Sequence, residues 1–96
     1  MKKFIAEIKL YYSLKGNSKT YPFTIKISEV YLDKEKLDGS PCFACEVVLN
    51  GLDETGEIKY GMDAIQAINL ASNIEPLLKR LSKRYNLFWS DKSNYF

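Results

Sequence analysis

Residues 3–13 alternate, with Phe4, Ala6, Ile8, Leu10 and Tyr12 on one side and Lys3, Glu7 and Lys9 on the other, the period of a half-buried strand. Ile5 and Tyr11 interrupt the polar side. Gly16-Asn17-Ser18 then supplies residues that tolerate left-handed backbone, which predicts a hairpin connection. A second run turns Tyr21, Phe23, Ile25 and Ile27 inward and Thr20, Thr24, Lys26 and Ser28 outward, after which the phase slips to Val30 and Leu32. A β-bulge near Ser28-Glu29 accounts for the slip, and Pro22, lacking an N–H, favours a strand start, an edge or a bulge. Asp33 to Ser40 reads as a charged loop. Phe43, Cys45, Val47 and Leu49 alternate with Ala44, Glu46 and Asn50 in a third strand. Asp53-Glu54-Thr55-Gly56 turns into a short fourth strand with Ile58 and Tyr60 expected inward beside Glu57 and Lys59.

From Asp63 the period lengthens to about 3.6 residues. Ile65, Ile68, Ala71, Ile74, Leu78, Leu81 and Tyr85 recur at spacings of three and four, and Ala67, Leu70 and Leu77 widen the stripe. Asp63 is a good N-cap, and Gln66 three residues later completes a capping-box pattern. Pro76 removes one hydrogen bond and clashes with the carbonyl of Ser72, so a kink or two abutting helices is expected there. The pattern predicts one α+β domain over residues 1–96. A four-stranded antiparallel meander (3–60) packs on one long helix (63–85, kinked near Pro76), and an aromatic, aperiodic tail (86–96) follows.

Composition changes this picture little. The chain has 96 residues, 46% hydrophobic and 27% charged, the proportions of an ordinary globular domain with one core. The net charge of +2 is too small to advertise nucleic acid or membrane as the default partner. Its distribution is uneven: residues 1–75 carry 9 basic and 11 acidic groups (−2), and residues 76–96 carry 5 and 1 (+4). The N-terminal apolar run stops at Glu7 and Lys9, and no stretch approaches the ~20 apolar residues of a spanning helix. A cytoplasmic location, no membrane association and reduced cysteines are the expectation.

The sharpest motif is Cys42-Phe43-Ala44-Cys45. A redox pair needs its first thiol at a helix N-terminus, whereas here an odd separation within a strand sends the two cysteines to opposite faces. Zinc would need two further ligands in a chain that has no histidine and no third cysteine. The carboxylate groups Asp33/Glu35/Asp38 and Asp53/Glu54/Glu57 fall in connections at opposite ends of a meander, poorly placed for one acid/base pair. Serine and tyrosine nucleophiles lack a partnering histidine, and no phosphate loop occurs. No catalytic activity, cofactor or metal is expected.

The basic segment Lys79, Arg80, Lys83 and Arg84, with Trp89 beyond it, combines cations with an aromatic, the ingredients of a phosphate-tracking, base-stacking surface. Cations in the last turns of a helix also complement its dipole.

Residues 59–71, Lys59-Tyr60-Gly61-Met62-Asp63-Ala64-Ile65-Gln66-Ala67-Ile68-Asn69-Leu70-Ala71, resemble the signature of a family of small uncharacterised bacterial domains. In that family a strand ends in Tyr-Gly-x-Asp and a helix opens with x-x-Gln-Ala-x-x-Leu-Ala. The resemblance implies a meander-plus-helix fold and a bacterial source, with no established activity; Ser72 and Pro76 depart from it. The leading expectation for function is a non-catalytic bacterial protein-binding domain, in its most concrete form an immunity protein that neutralises a cognate toxin. Tyr11, Tyr31, Trp89, Tyr95 and Phe96 are the expected contact aromatics. The alternative is an accessory nucleic-acid-associated domain using Lys79, Arg80, Lys83, Arg84 and Trp89. A third reading is a homodimer formed through a sheet edge or the aromatic tail.

Overall fold

The computed structural model describes residues 3–33 and 42–96. The elements are β1 (Phe4–Leu14), β2 (Tyr21–Ser28), β3 (Tyr31–Asp33), β4 (Cys42–Asn50), β5 (Glu57–Gly61), α1 (Ala64–Ser72), α2 (Glu75–Leu81) and β6 (Tyr85–Phe88). This is an α+β fold with a six-stranded antiparallel sheet, two strands more than the pattern predicted. The loop expected over Asp33–Ser40, with Glu35 and Asp38, lies outside the described residues, except for Asp33, which ends β3.

One extra strand comes from the phase slip. β3 pairs with residues 42–44 of β4 and β2 with residues 47–50, while β5 takes the opposite edge of β4 over residues 43–47. β2 and β3 are therefore one strand broken at Glu29-Val30. The irregularity registers on the neighbouring strand too, between Phe4 and Ala6 of β1. Ser28 mends the break: its hydroxyl, 1% exposed, accepts the Glu46 N–H at 2.8 Å and donates to the Glu29 carbonyl at 2.9 Å. A side chain thus stands in for a missing ladder partner, as a buried N–H requires.

The other strand, β6, forms where the helix was expected to continue. Hydrophobic spacing carried the predicted stripe through to Tyr85, but the helix ends at Leu81, and Tyr85–Phe88 pair antiparallel with Leu14–Tyr11 of β1. The sheet therefore runs β6-β1-β2/β3-β4-β5. Pairing directions make β5 and β6 point the same way, which a tight hairpin cannot achieve; a crossover is required, and the helices provide it.

Pro76 divides that crossover. α1 ends at Ser72, whose carbonyl accepts the Ile74 N–H at 2.9 Å, and Pro76 then sits in the first turn of α2, where its missing N–H costs nothing. Asp63 caps α1 by accepting the Gln66 N–H at 2.8 Å, and the Gln66 side chain returns to the Met62 N–H at 2.6 Å. The reciprocal cap is as predicted, displaced by one residue.

The core joins Leu10, Phe23, Ile25, Ile27, Cys45 and Val47 from the strands to Ala67, Ala71, Leu77, Leu78 and Leu81 from the helices. The helical stripe is corrected on α1. Ile65 is 71% exposed and Leu70 is exposed as well, because alanines, not the larger residues, face the sheet. The reason is proximity. A Cβ added at Gly61 would lie 2.6 Å from the Ala67 nitrogen, so helix and strand backbones nearly touch there.

Gly61→Ala is expected to lower stability by about 1–3 kcal/mol through overpacking against immovable backbone, read as a shifted urea midpoint at unchanged slope. Ser28→Ala strands the Glu46 N–H and should cost about 1–3 kcal/mol, whereas Ser18→Ala on the exposed first turn should stay within about 0.5 kcal/mol.

Candidate functional site: the uncovered sheet face

Residues directly opposite across an antiparallel ladder share a face, so the register sorts every side chain. Both helices lie on the face of Ile25, Cys45 and Val47. The register Phe43↔Gly61, Cys45↔Lys59 and Val47↔Glu57 places Lys59 and Glu57 on that helix side. Ile58 and Tyr60, expected inward, therefore point to the opposite face. Gly61 carried the signal that fixes this parity, because a glycine pressed against a helix must itself face the helix.

On the face that no helix among the described residues covers, called the uncovered face, Tyr31, Ala44 and Tyr60 lie side by side across β3, β4 and β5. Ala44 is fully buried although no helix among the described residues covers it, and the two tyrosines flank it. The next row on this face pairs Glu46 with Ile58, which is 45% exposed. Burial pushes the Tyr31 phenol above its ordinary value, and the Glu46 carboxylate, to which it hydrogen-bonds, pushes it in the same direction. An aromatic–aliphatic cluster with one carboxylate at its centre results.

The other expected contact residues do not join it. Tyr11 shares the uncovered face, but on β1 beside Phe88 of β6, with the Lys92 ammonium 5.3 Å from its ring centroid. Trp89, Tyr95 and Phe96 form a separate stack beyond β6: Trp89 and Tyr95 are 4.4 Å apart and Phe96 meets Tyr95 edge-on at 4.9 Å. The tail is ordered by its own turn. Trp89 N–H donates to the Ser93 carbonyl at 2.8 Å, Tyr95 N–H donates to Leu87, and Lys92 adopts φ 68°. Asp91 accepts both the Ser93 hydroxyl and the Ser93 N–H, which holds its carboxyl below the usual range.

The four cations of the helix end lie on the helix side, where three have acidic partners. Arg80 reaches Glu57 at 3.1 Å, Arg84 reaches Glu54 at 3.2 Å and Lys79 stands 3.8 Å from Glu75. Lys83 is exposed and makes no ion pair among the described residues. The acidic β4–β5 turn, which the sequence offers as a solvated loop, is the counter-charge of the basic helix end.

The cysteines separate as their spacing predicts. Cys42 pairs with Asp33 on the uncovered face, and Cys45 lies in the core with its thiol 3.2 Å from the Ser28 carbonyl. Burial pushes the Cys45 thiol up. Among the described residues no group of three or more acidic or cysteine side chains could hold a metal ion, and no helix is long and apolar enough to cross a membrane. No protein-family model, curated protein or solved structure matches the chain.

A maleimide dye at neutral pH is expected to modify the native protein at Cys42 and to reach Cys45 only in denaturant. Peptide mapping by mass spectrometry checks this; equal labelling of both thiols in the native state would contradict the placement of Cys45.

Proposed function

We propose that this chain is a non-catalytic protein-binding domain whose contact surface is the uncovered sheet face around Tyr31, Tyr60 and Ile58. The observation that carries this reading is the Tyr31-Ala44-Tyr60 row, which sets large, stiff, amphipathic side chains on a flat strand surface with a solvent-facing aliphatic neighbour. Tyrosine anchors around a small residue are the composition of interface centres, and Glu46 among them can accept a donor from the partner. The concrete form we put forward is a bacterial immunity protein, which needs only to occupy a surface of its toxin and requires no chemistry of its own. The chain's lack of histidine suits that role. The nucleic-acid alternative draws on the helix end, where Glu54 and Glu57 offset much of the positive field of Arg84 and Arg80.

The test is affinity capture against the product of the neighbouring gene. Ile58→Asp and Tyr31→Ala alter exposed positions and are each expected to weaken capture by about tenfold or more, the loss of about 1.4 kcal/mol or more that interface anchors carry. Lys83→Glu should leave it unchanged. Capture indifferent to both face variants would remove the proposed surface, and salt-sensitive retention on a polyanion lost in Lys83→Glu would favour the nucleic-acid reading.

A further inference from the structure

The long strand β1 is only partly covered. β2 lines one of its edges, but β6 pairs with the other only at Tyr11–Leu14. Among the described residues nothing pairs with that second edge over residues 4–10, about 20 Å of open ladder. Phe4 and Ile5 on this stretch are 42% and 56% exposed, and a cleft opens beside it between Ala6 and Ile8 on one side and Ser72 and Ile74 at the helix break on the other. An unpaired edge flanked by apolar surface is a template for another strand.

We infer that this edge is where two copies of the chain pair, antiparallel about a two-fold axis at Ile8, so that Glu7 of each copy faces Lys9 of the other. The charges select both the occupant and the register. An axis at Glu7 sets Glu7 against itself, an axis at Lys9 sets Lys9 against itself, and an axis at Ala6 brings Lys3 opposite Lys9. Two axes match opposite charges twice, Ile8 (Glu7 with Lys9) and Ile5 (Lys3 with Glu7). The second falls on the bulge between Phe4 and Ala6, where the strand is irregular, which leaves Ile8. Neither Glu7 nor Lys9 makes an ion pair within its own chain among the described residues. Pairing in this register extends over residues 6–10. It stops where Tyr11 is already taken by Phe88 and where the bulge at Ile5 bends the strand away. The axis is perpendicular to the sheet, so the helices of both copies lie on the same side. Ile8 and Ile74 of each then close over the joint, filling the two clefts.

This inference goes beyond the partner-binding reading, and its variants leave Tyr31, Tyr60 and Ile58 untouched. Sedimentation equilibrium over a range of concentrations tests it, with circular dichroism to verify folding. The native chain is expected to dimerise, and Glu7→Lys and Lys9→Glu are each expected to raise the dissociation constant by about tenfold or more, because two cross-strand attractions become repulsions. Mixing the two variants should restore association as a heterodimer, since one chain then presents only lysine and the other only glutamate at positions 7 and 9. The double variant Glu7→Lys/Lys9→Glu should recover the homodimer. A monomer at every concentration, a dimer insensitive to both reversals, or a mixture that fails to associate would each overturn the proposal.

Discussion

The close contact between the start of α1 and the β4–β5 hairpin governs more of this molecule than any other interaction. The Ala67 backbone nitrogen occupies the space that a Cβ on Gly61 would need, and Ala67 and Ala71 continue the same thin seam along the helix. Small residues on both sides let backbone approach backbone, a compact arrangement that larger side chains would prop open. Because Gly61 must face the helix, the two-residue period of β5 is fixed: Glu57 and Lys59 share its side, and Ile58 and Tyr60 are forced to the other. The uncovered face owes its hydrophobic character to this parity. The same seam launches the helical segment from the β5 edge, and the direction of β6 obliges it to cross back to β1.

That crossing brings opposite charges together. Glu54 and Glu57 flank the β4–β5 connection and meet Arg84 and Arg80 as α2 and its following turn pass overhead. Each pair is partly solvent-exposed and contributes only about 0.2–1 kcal/mol. Their effect on the surface is larger than their effect on stability. A segment that is strongly cationic in sequence becomes mixed in space, and the field it presents to a polyanion shrinks accordingly. Exposed and lacking an acidic partner among the described residues, Lys83 is the cation of the helix end that this compensation leaves over.

Wherever one physical rule acted alone, the sequence was legible. Period-2 alternation identified the core residues Leu10, Phe23, Ile25, Ile27, Cys45 and Val47 of β1, β2 and β4. Phe4 and Tyr21, expected inward, are nevertheless 42% and 40% exposed, Phe4 because the bulge beside it turns it toward Lys26. The Asp63–Gln66 pair identified the start of α1, and Pro76 identified the break between helices. Legibility failed where two rules competed. Helical spacing runs through Leu81 to Tyr85, yet Tyr85 pairs with Leu14, because β1 offers an open ladder that a further helical turn would leave unsatisfied. Ile58 and Tyr60 look like core residues by hydrophobicity, and only the steric demand at Gly61 reverses them. For the candidate site, Tyr31 was among the contact aromatics expected from the sequence. Its neighbours Tyr60 and Glu46 were not, because they reach it only through pairing across three strands. Ile65, inward by spacing, is expelled because the alanine seam brings the helix too close to the sheet to admit it.

The length mismatch between β1 and β6 has the same origin as the other features. α2 is seven residues long and delivers the chain to only one end of β1, and the turn at Trp89–Ser93 then folds the tail back on β6 instead of extending it along the open edge. Alternating charges on an exposed strand are usually read as protection against unwanted pairing, and Glu7, Lys9 and the bulge at Ile5 serve that end in most registers. Protection of this kind is not uniform, however. A strand bearing a single sign repels every antiparallel copy of itself, whereas a strand bearing one acid and one base two residues apart repels copies centred on either charge and attracts the copy centred between them. The residue between them is Ile8, half-buried against the core and open toward the cleft under Ile74. The pattern that blocks indiscriminate strand addition therefore leaves open one symmetric arrangement, in which charge pairing and apolar burial coincide.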